Sequence, residues 1–260
     1  MLRLLLVGRK SSDVPLQDLK GQWSQCTPET ASEFSAIAYL FGREIAKEEH
    51  VPIGLIDATW GGTPVDSWMS LDSLGNNPAL LSGNLPFLFA QISSFPSPCE
   101  RWGMVRDAQR CTLSVANTAM AVSIDVGNPA NVHPADKQTV ARHLALAARG
   151  LVYCESVAYA SPLFREATTE PGAIRVWFDN ASGLQSEKNS MEDFEVAGSD
   201  HHVVPASATI QGETIVVSAP GLPDPRYERY GWSNVVQTWF YNSAGLPGST
   251  FPSEEVPVEP

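Results

Sequence analysis

The sequence predicts an α/β fold in which a doubly wound parallel sheet is followed by a β-rich C-terminal region. Strand and helix patterns alternate over the first part of the chain, which is typical of a parallel sheet covered by helices. Further on, short β-rich runs are separated by Gly, Asn, Asp and Pro, as in antiparallel hairpins. We therefore predict a partial α/β domain over residues 1–160 and a β-rich domain over residues 161–260.

The first elements of the chain predict the beginning of the parallel sheet. Residues 1–7 form an apolar run that is too short for a secretory leader with its cleavage site, so they predict an opening strand. Residues 34–48 carry apolar side chains at helical spacing. Residues 53–60 are a short apolar run bounded by glycines, which predicts a buried parallel strand.

The later elements repeat this alternation of strand and helix, and short strand-forming runs follow them. Residues 101–115 and 134–149 are predicted helices, and residues 118–125 are a second buried strand. In the C-terminal region the strand-forming runs are residues 174–178, 194–196, 208–210 and 214–217.

Composition and charge exclude several classes of protein. Of the 260 residues 43% are hydrophobic and 18% charged, which is ordinary for a globular protein and too apolar for disorder. The net charge is −12 and no Lys or Arg residues cluster, which argues against binding of nucleic acid or of an anionic membrane surface. No run approaches the ~20 apolar residues of a membrane-spanning helix.

The cysteines indicate no metal site. Cys26, Cys99, Cys111 and Cys154 lack the C-x-x-C spacing of structural zinc sites. Disulfides and buried thiols both stay open as interpretations.

Two loops that follow predicted strands carry candidate functional residues, because ligands of doubly wound sheets bind beyond the carboxyl ends of the strands. Gly61, Gly62 and Thr63 follow the strand at residues 53–60, and a glycine turn can present backbone N–H groups to an oxyanion. A turn made for geometry alone is the alternative. His133 precedes a predicted helix, and imidazole titrates near neutral pH, which suits general acid–base work. An exposed histidine without function is the alternative there.

A series of motifs runs through nearly the whole chain in a fixed order. They are Phe34-Ser-Ala, Trp60-Gly-Gly-Thr63, Val105-Arg106, Ala108-Gln109, His133-Pro134, Arg229-Tyr230-Gly231-Trp232 and Gly245-Leu246-Pro247. The series resembles the sialate O-acetylesterase family of SGNH-type hydrolases.

The resemblance implies an SGNH-hydrolase-like fold and hydrolysis of O-acetyl groups from sugars such as sialic acid. It implies a serine nucleophile, a histidine base and an oxyanion hole, with no cofactor and no metal. By motif, His133 is the implied base, and Gly61 or Gly62 is an implied oxyanion donor. Arg106 and Gln109 are three residues apart on a predicted helix and are implied to border the pocket; a purely structural role is the alternative.

Three departures from the family pattern predict an impaired enzyme. The nucleophile string of Gly-Gln-Ser-Asn type does not occur in the 260 residues, so no nucleophile is assigned. A Pro- and Ser-rich stretch replaces the Gln-Gly-Glu-Ser-Asn block between Trp68 and Trp102, which predicts an incomplete sheet. The aspartate expected before the histidine is Asn131, which leaves Asn131 or Asp125 to orient the imidazole of His133.

Two alternatives to catalysis stay open: a non-catalytic carbohydrate-binding protein and an inactive remnant of the family. Exposed tryptophans stack on sugars, although core packing is their commoner use. The expected partner is an acetylated carbohydrate. An incomplete sheet also predicts self-association through exposed strand edges and apolar faces. The compartment is left unassigned, because proteins of this family are often secreted, periplasmic or lysosomal.

Overall fold

The computed structural model of the chain describes residues 1–12, 18–61, 63, 86–97, 101–237 and 239–254. It divides into two compact units, Met1–Pro86 and Phe87–Pro260. The predicted boundary near residue 160 falls inside the second unit and stays a prediction.

The first unit is built around a parallel strand pair. β1 (Leu2–Leu6) pairs in parallel with β3 (Ile53–Asp57) and antiparallel with β2 (Ser24–Gln25). Two helices, α1 (Pro28–Ser32) and α2 (Ala36–Glu48), lie between β2 and β3 in the chain. The strand predicted over residues 1–7, the helix over residues 34–48 and the strand over residues 53–60 are therefore confirmed.

Helix α2 begins at a hydroxyl cap and packs a glycine against the sheet. The side chain of Ser35 accepts a hydrogen bond from the backbone N–H of Ala38, which satisfies a donor at the start of the helix. A Cβ at Gly42 would lie 2.6 Å from a methyl group of Leu55, so glycine permits this close approach without a shift of the leucine side chain. The packing fixes the direction in which the chain enters β3.

The sheet of the first unit is unevenly buried. Along β3, Leu55 and Asp57 are buried, whereas Ile56 between them is 58% exposed. Leu6, at the end of β1, is 54% exposed. The prediction of a parallel strand at residues 53–60 is confirmed, but its expected burial is found on a single face.

The second unit opens with another parallel pair. β4 (Phe87–Ala90) pairs in parallel with β5 (Thr118–Ala121), and α3 (Trp102–Cys111) lies between them in the chain. After β5 comes α4 (Lys137–Leu151), which packs against both strands. A short 3₁₀ helix, Thr112–Ser114, continues the end of α3. The helices predicted over residues 101–115 and 134–149 and the strand predicted over residues 118–125 are confirmed.

The rest of the second unit is an antiparallel sheet. In spatial order, the strands of the described sheet are β14 (Phe251–Pro252), β12 (Tyr227–Tyr230), β9 (Met191–Ala197), β10 (Val203–Gln211), β11 (Thr214–Ser218), β7 (Ala173–Asp179) and β6 (Leu163–Glu170). A separate pair joins β8 (Gln185–Ser186) to β13 (Phe240–Tyr241). The antiparallel strands predicted from the C-terminal sequence are therefore confirmed.

One apolar core joins the two parts of the second unit. Met120, Val122 and Ile124, at and after the end of β5, are buried in the same cluster as Phe194 and Phe251 of the antiparallel sheet. This packing holds the chain rigidly just before the loop that carries the candidate histidine.

The chain is thus a mixed α/β protein with a large antiparallel sheet. The doubly wound arrangement of its parallel strands stays a prediction. Within the described residues, no helix combines the length and the apolarity needed to cross a bilayer.

Candidate functional site

The loop that carries the candidate histidine is anchored where it leaves the core. After β5 the chain makes a 3₁₀ turn, Ile124–Val126. Ser94 donates its hydroxyl to the carbonyl of Ile124 at 2.9 Å. A Cβ at Gly127 would lie 2.4 Å from the backbone oxygen of Ser94, so the loop can approach this closely only with glycine at that position.

His133 lies exposed on this loop, ahead of helix α4. Its backbone N–H donates to Oδ1 of Asn131 at 2.9 Å, so that oxygen is engaged by the backbone of the histidine. Among the described residues the imidazole ring itself has no hydrogen-bond partner. An exposed imidazole of this kind is free to accept a proton from an incoming hydroxyl group. The part of Asn131 in orienting the ring stays a prediction.

Asp136 fixes the other end of the loop. Its carboxylate accepts hydrogen bonds from the backbone N–H of Thr139 at 2.9 Å and from the hydroxyl of Thr139 at 2.7 Å. These bonds cap helix α4 and lower the pKa of Asp136 below its ordinary value. The backbone that carries His133 is therefore held on both sides.

Asp125 faces Tyr241. The phenol of Tyr241 donates to Oδ2 of Asp125 at 3.4 Å, and within the described structure Oδ1 has no hydrogen-bond partner. Burial raises the pKa of the Asp125 carboxyl, while the bond from Tyr241 opposes that change. The proposed action of Asp125 on His133 stays a prediction, and the contact that the structure does show is with the phenol.

Arg106 and Gln109 both engage the protein itself. Arg106 is fully buried, and its guanidinium donates to the carbonyls of Gly231, at 2.8 Å, and of Ser233. Burial lowers the pKa of Arg106 to about 10. Gln109 accepts the backbone N–H of Ile92 at 2.9 Å. These bonds match the structural alternative considered for the pair, and a contact with substrate stays a prediction.

His143 is a buried histidine on helix α4. Its Nδ1 lies 3.2 Å from the carbonyl oxygen of Val122. Burial lowers the pKa of His143 to about 4, so it is neutral at physiological pH. Its contact with Val122 holds α4 against the end of β5.

In the first unit a buried carboxylate supports the start of the glycine turn. Asp57, at the end of β3, accepts hydrogen bonds from the backbone N–H and the hydroxyl of Thr59 at 3.0 and 2.7 Å. Its other oxygen accepts the backbone N–H of Ser35 at 3.1 Å. The end of β3 is therefore fixed to the start of helix α2.

Free space lies beside the turn that follows Thr59. The hydroxyl of Thr63 donates to the carbonyl of Trp60 at 2.6 Å, which closes the turn. A Cβ at Gly61 would meet no atom within 4 Å, so protein crowding does not require glycine there. That leaves free space beside its backbone. Gly62 lies outside the described residues.

Comparison with known proteins relates this arrangement to carbohydrate esterases. The sequence matches no protein-family model. It is 26% identical to the sialate O-acetylesterase of Homo sapiens, in an alignment that covers 96% of this chain and 68% of the human protein. The rat (Rattus norvegicus) sialate O-acetylesterase is 23% identical, over 96% of this chain and 70% of its own length.

A solved structure decides the family of the chain. The crystal structure of a carbohydrate acetylesterase from Xanthomonas citri superposes with a TM-score of 0.89 and 30% sequence identity, covering 97% of this chain and 73% of that protein. The chain belongs to the sialate O-acetylesterase family. It is thus a member of an esterase family, and its His133 loop can be considered as part of an esterase scaffold.

No disulfide joins the cysteines that the structure describes. Cys26, Cys111 and Cys154 are free thiols, and Cys99 lies outside the described residues. In the parts of the chain that the structure covers, no group of three or more His, Cys, Asp or Glu side chains is placed to hold a metal.

Sequence reasoning missed two aromatic residues close to the candidate loop. Tyr241 bonds Asp125, and Trp239 lies with Asp125 around the same cavity. Both precede the Gly245-Leu246-Pro247 motif, to which the sequence analysis assigns no role. Their distance from Asp125 in sequence, more than a hundred residues, left no local signal that could pair them.

Proposed function

We propose that this chain is a carboxylic ester hydrolase for O-acetyl groups on sugars such as sialic acid, and that its turnover is impaired. The observation that carries the proposal is the exposed imidazole of His133. It stands on a braced loop between a parallel strand and helix α4, in a chain that matches a carbohydrate acetylesterase over 97% of its length.

The proposed chemistry is acyl transfer. A hydroxyl oxygen attacks the acetyl carbonyl carbon, and His133 accepts the hydroxyl proton. The oxyanion donors implied by the family resemblance, Gly61 or Gly62, stay a prediction. When the ester C–O bond breaks, His133 returns the proton to the sugar oxygen.

The impairment follows from the missing nucleophile. With no Gly-Gln-Ser-Asn string in the 260 residues, water is the proposed attacking group, and acetate forms without an acyl-enzyme. The alignment with the human enzyme extends over 361 positions, more than the whole length of this chain, so many residues of the human protein have no counterpart here. Asn131, in place of a carboxylate, would also stabilise an imidazolium poorly.

Replacing His133 with alanine is expected to lower the hydrolysis of an acetyl ester by about 10²-fold, because removal of a general base forfeits that order of rate. Hydrolysis of p-nitrophenyl acetate and of a 9-O-acetylated sialic acid by the purified chain measures this. His202→Ala is the matched control, because His202 is also exposed and lies in the C-terminal sheet region. Equal rates for the two variants would remove His133 from the mechanism.

A non-catalytic carbohydrate-binding role is the second candidate, favoured by the missing nucleophile string. It predicts sugar binding by the wild-type chain with no ester hydrolysis above the buffer rate, and no effect of His133→Ala on that binding. Binding and hydrolysis measured on the same preparation separate the two functions.

We also propose that the chain self-associates through its open parallel strands. Leu6, Ile56 and Phe87 are 54%, 58% and 61% exposed, and each lies on a parallel strand, where both faces are normally covered. Exposed apolar strands of this kind favour association between copies.

A charge on the open face is expected to reduce this association. Ile56→Lys should shift the chain toward monomer in sedimentation velocity, because a lysine on a strand opposes intermolecular pairing. Val115→Lys is the control, since Val115 is also exposed but lies outside any strand. A wild-type chain that sediments as a monomer at all concentrations would contradict the proposal.

A further inference from the structure

A cavity of about 320 Å³ lies beside the loop that leads to His133. Its walls are formed by Ser94 and by two further segments of the second unit. One of these includes Asp125 and Gly127, and the other includes Val236 and Trp239. Within the described structure this cavity has a feature that a simple packing defect lacks: it is lined by two polar side chains that each leave one hydrogen-bonding atom unused.

The two unused atoms are of opposite kinds. Oδ1 of Asp125 is an acceptor and Nε1–H of Trp239 is a donor, and both are shielded from solvent with no hydrogen-bond partner. Buried polar groups are nearly always paired in folded proteins, so each such group requires an explanation. A molecule with both donors and acceptors would satisfy the two atoms together, once these side chains turn toward it.

The cavity walls are held by one serine. Ser94 donates its hydroxyl to the carbonyl of Ile124 at 2.9 Å and accepts the backbone N–H of Val236 at 3.3 Å. Tyr241 holds the second oxygen of Asp125 at 3.4 Å. These bonds hold the backbone around the cavity, so a ligand requires only the side chains of Asp125 and Trp239 to turn.

The chemistry of the lining selects the ligand class. A phosphate held in the cavity would bring its charge directly against the carboxylate of Asp125. A metal ion would need further ligands, and none of the described residues form such a group. A sugar ring has hydroxyl groups that both donate and accept, together with apolar C–H faces that pack on an indole.

We propose that this cavity is a subsite for the sugar ring of an acetylated carbohydrate. In it, the carboxylate of Asp125 accepts a hydrogen bond from one hydroxyl, and the indole N–H of Trp239 donates to a neighbouring oxygen. Val235 and Val236 supply the apolar wall. The inference rests on the proposed function for its ligand class and deepens it by naming the residues that hold the sugar.

The test follows the indole N–H resonance of Trp239 in the ¹⁵N-labelled full chain, assigned by its loss in Trp239→Phe. Titration with N-acetylneuraminic acid, and separately with methyl glucoside, is expected to move this resonance saturably with at least one of the two sugars. Asp125→Asn and Trp239→Phe should each weaken binding about tenfold, the loss expected for a hydrogen bond at a buried site. Trp177→Phe is the matched control, because the indole of Trp177 donates to Thr168 at 3.1 Å on a different strand pair.

The inference is overturned if the Trp239 resonance stays fixed at the highest concentration of both sugars, which would leave the cavity to water. It is also overturned if both variants bind the sugars as tightly as Trp177→Phe. Circular dichroism checks the fold, and Asp125→Asn, which is nearly isosteric, decides the test if Trp239→Phe does not fold. Binding is measured without turnover, so failure of the His133→Ala prediction leaves this result unaffected. If Asp125→Asn and Trp239→Phe hydrolyse a 9-O-acetylated sialic acid with an unchanged KM, the subsite is overturned and the proposed function is not.

Discussion

Replacing Arg106 with alanine is expected to lower the free energy of unfolding by about 3–5 kcal/mol, because it leaves buried acceptors unpaired and opens a cavity. The guanidinium has 0% exposure. It donates to the hydroxyl of Thr250 at 3.0 Å and to the carbonyls of Gly231 and Ser233. Alanine can satisfy none of these acceptors. Equilibrium unfolding in urea measures the loss.

An exposed arginine provides the control. Arg165 keeps almost half of its side chain in solvent. It forms long ion pairs, of 3.4 Å to Glu166 and 3.8 Å to Asp179, and lies 5.8 Å from the ring centroid of Trp177. Arg165→Ala should therefore change the stability by less than about 1 kcal/mol. If Arg106→Ala unfolds like the wild-type chain and instead raises KM for an acetyl ester, then Arg106 binds substrate and the structural assignment is wrong.

Arg106 also shows how far the sequence could predict the site. The helix that carries it, Trp102–Cys111, follows from apolar spacing and is found within the predicted residues 101–115. Its partners do not follow, because Gly231 and Thr250 are more than a hundred residues away in the chain. Local periodicity predicts which residues share a helix face, but it carries no information about which distant loop covers that face.

For the loop of His133, too, the sequence predicts the local elements but not their distant contacts. A strand, a loop with a histidine and a helix are predicted from residues 118–149, and the structure contains all three. The partner of Asp125 is Tyr241, which comes from a strand pair near the end of the chain. The sequence pattern therefore located the candidate base, while the pocket beside it depends on tertiary contacts.

The exposure of Ile56 on β3 is a feature that the sequence pattern did not predict. An apolar run such as Ile53–Asp57 predicts burial on both faces, since parallel strands are normally covered by helices on each side. In the structure Leu55 on β3 is buried, whereas Ile56, on the opposite face of the same strand, stays exposed. The sequence pattern is that of a strand in a larger sheet, which agrees with the shorter stretch between Trp68 and Trp102 noted from the sequence.

Glu228 makes stability depend on pH. It lies on β12 directly opposite Val196, both residues are buried, and neither of its carboxyl oxygens has a hydrogen-bond partner in the described structure. Burial raises the pKa of Glu228 from 4.5 to about 7. Because the folded-state pKa lies above the unfolded one, the folded chain holds the proton more tightly. The resulting stabilisation is complete below about pH 4.5 and is lost as the pH rises through about 7.

Glu228→Gln is therefore expected to be more stable than the wild-type chain at pH 8 by on the order of 3 kcal/mol, and nearly equal to it at pH 4.5. Glutamine resembles the protonated carboxyl in size and carries no charge, so it removes the cost of a buried anion without opening a cavity. Urea unfolding at a series of pH values measures the difference. Glu195→Gln is the control, because Glu195 is partly exposed and paired with Arg229 at 2.7 Å, and its loss should not stabilise the chain at pH 8. Parallel pH profiles for Glu228→Gln and the wild-type chain would mean that the carboxylate of Glu228 reaches water or a cation in solution, and that its side chain does not occupy the buried face of β12.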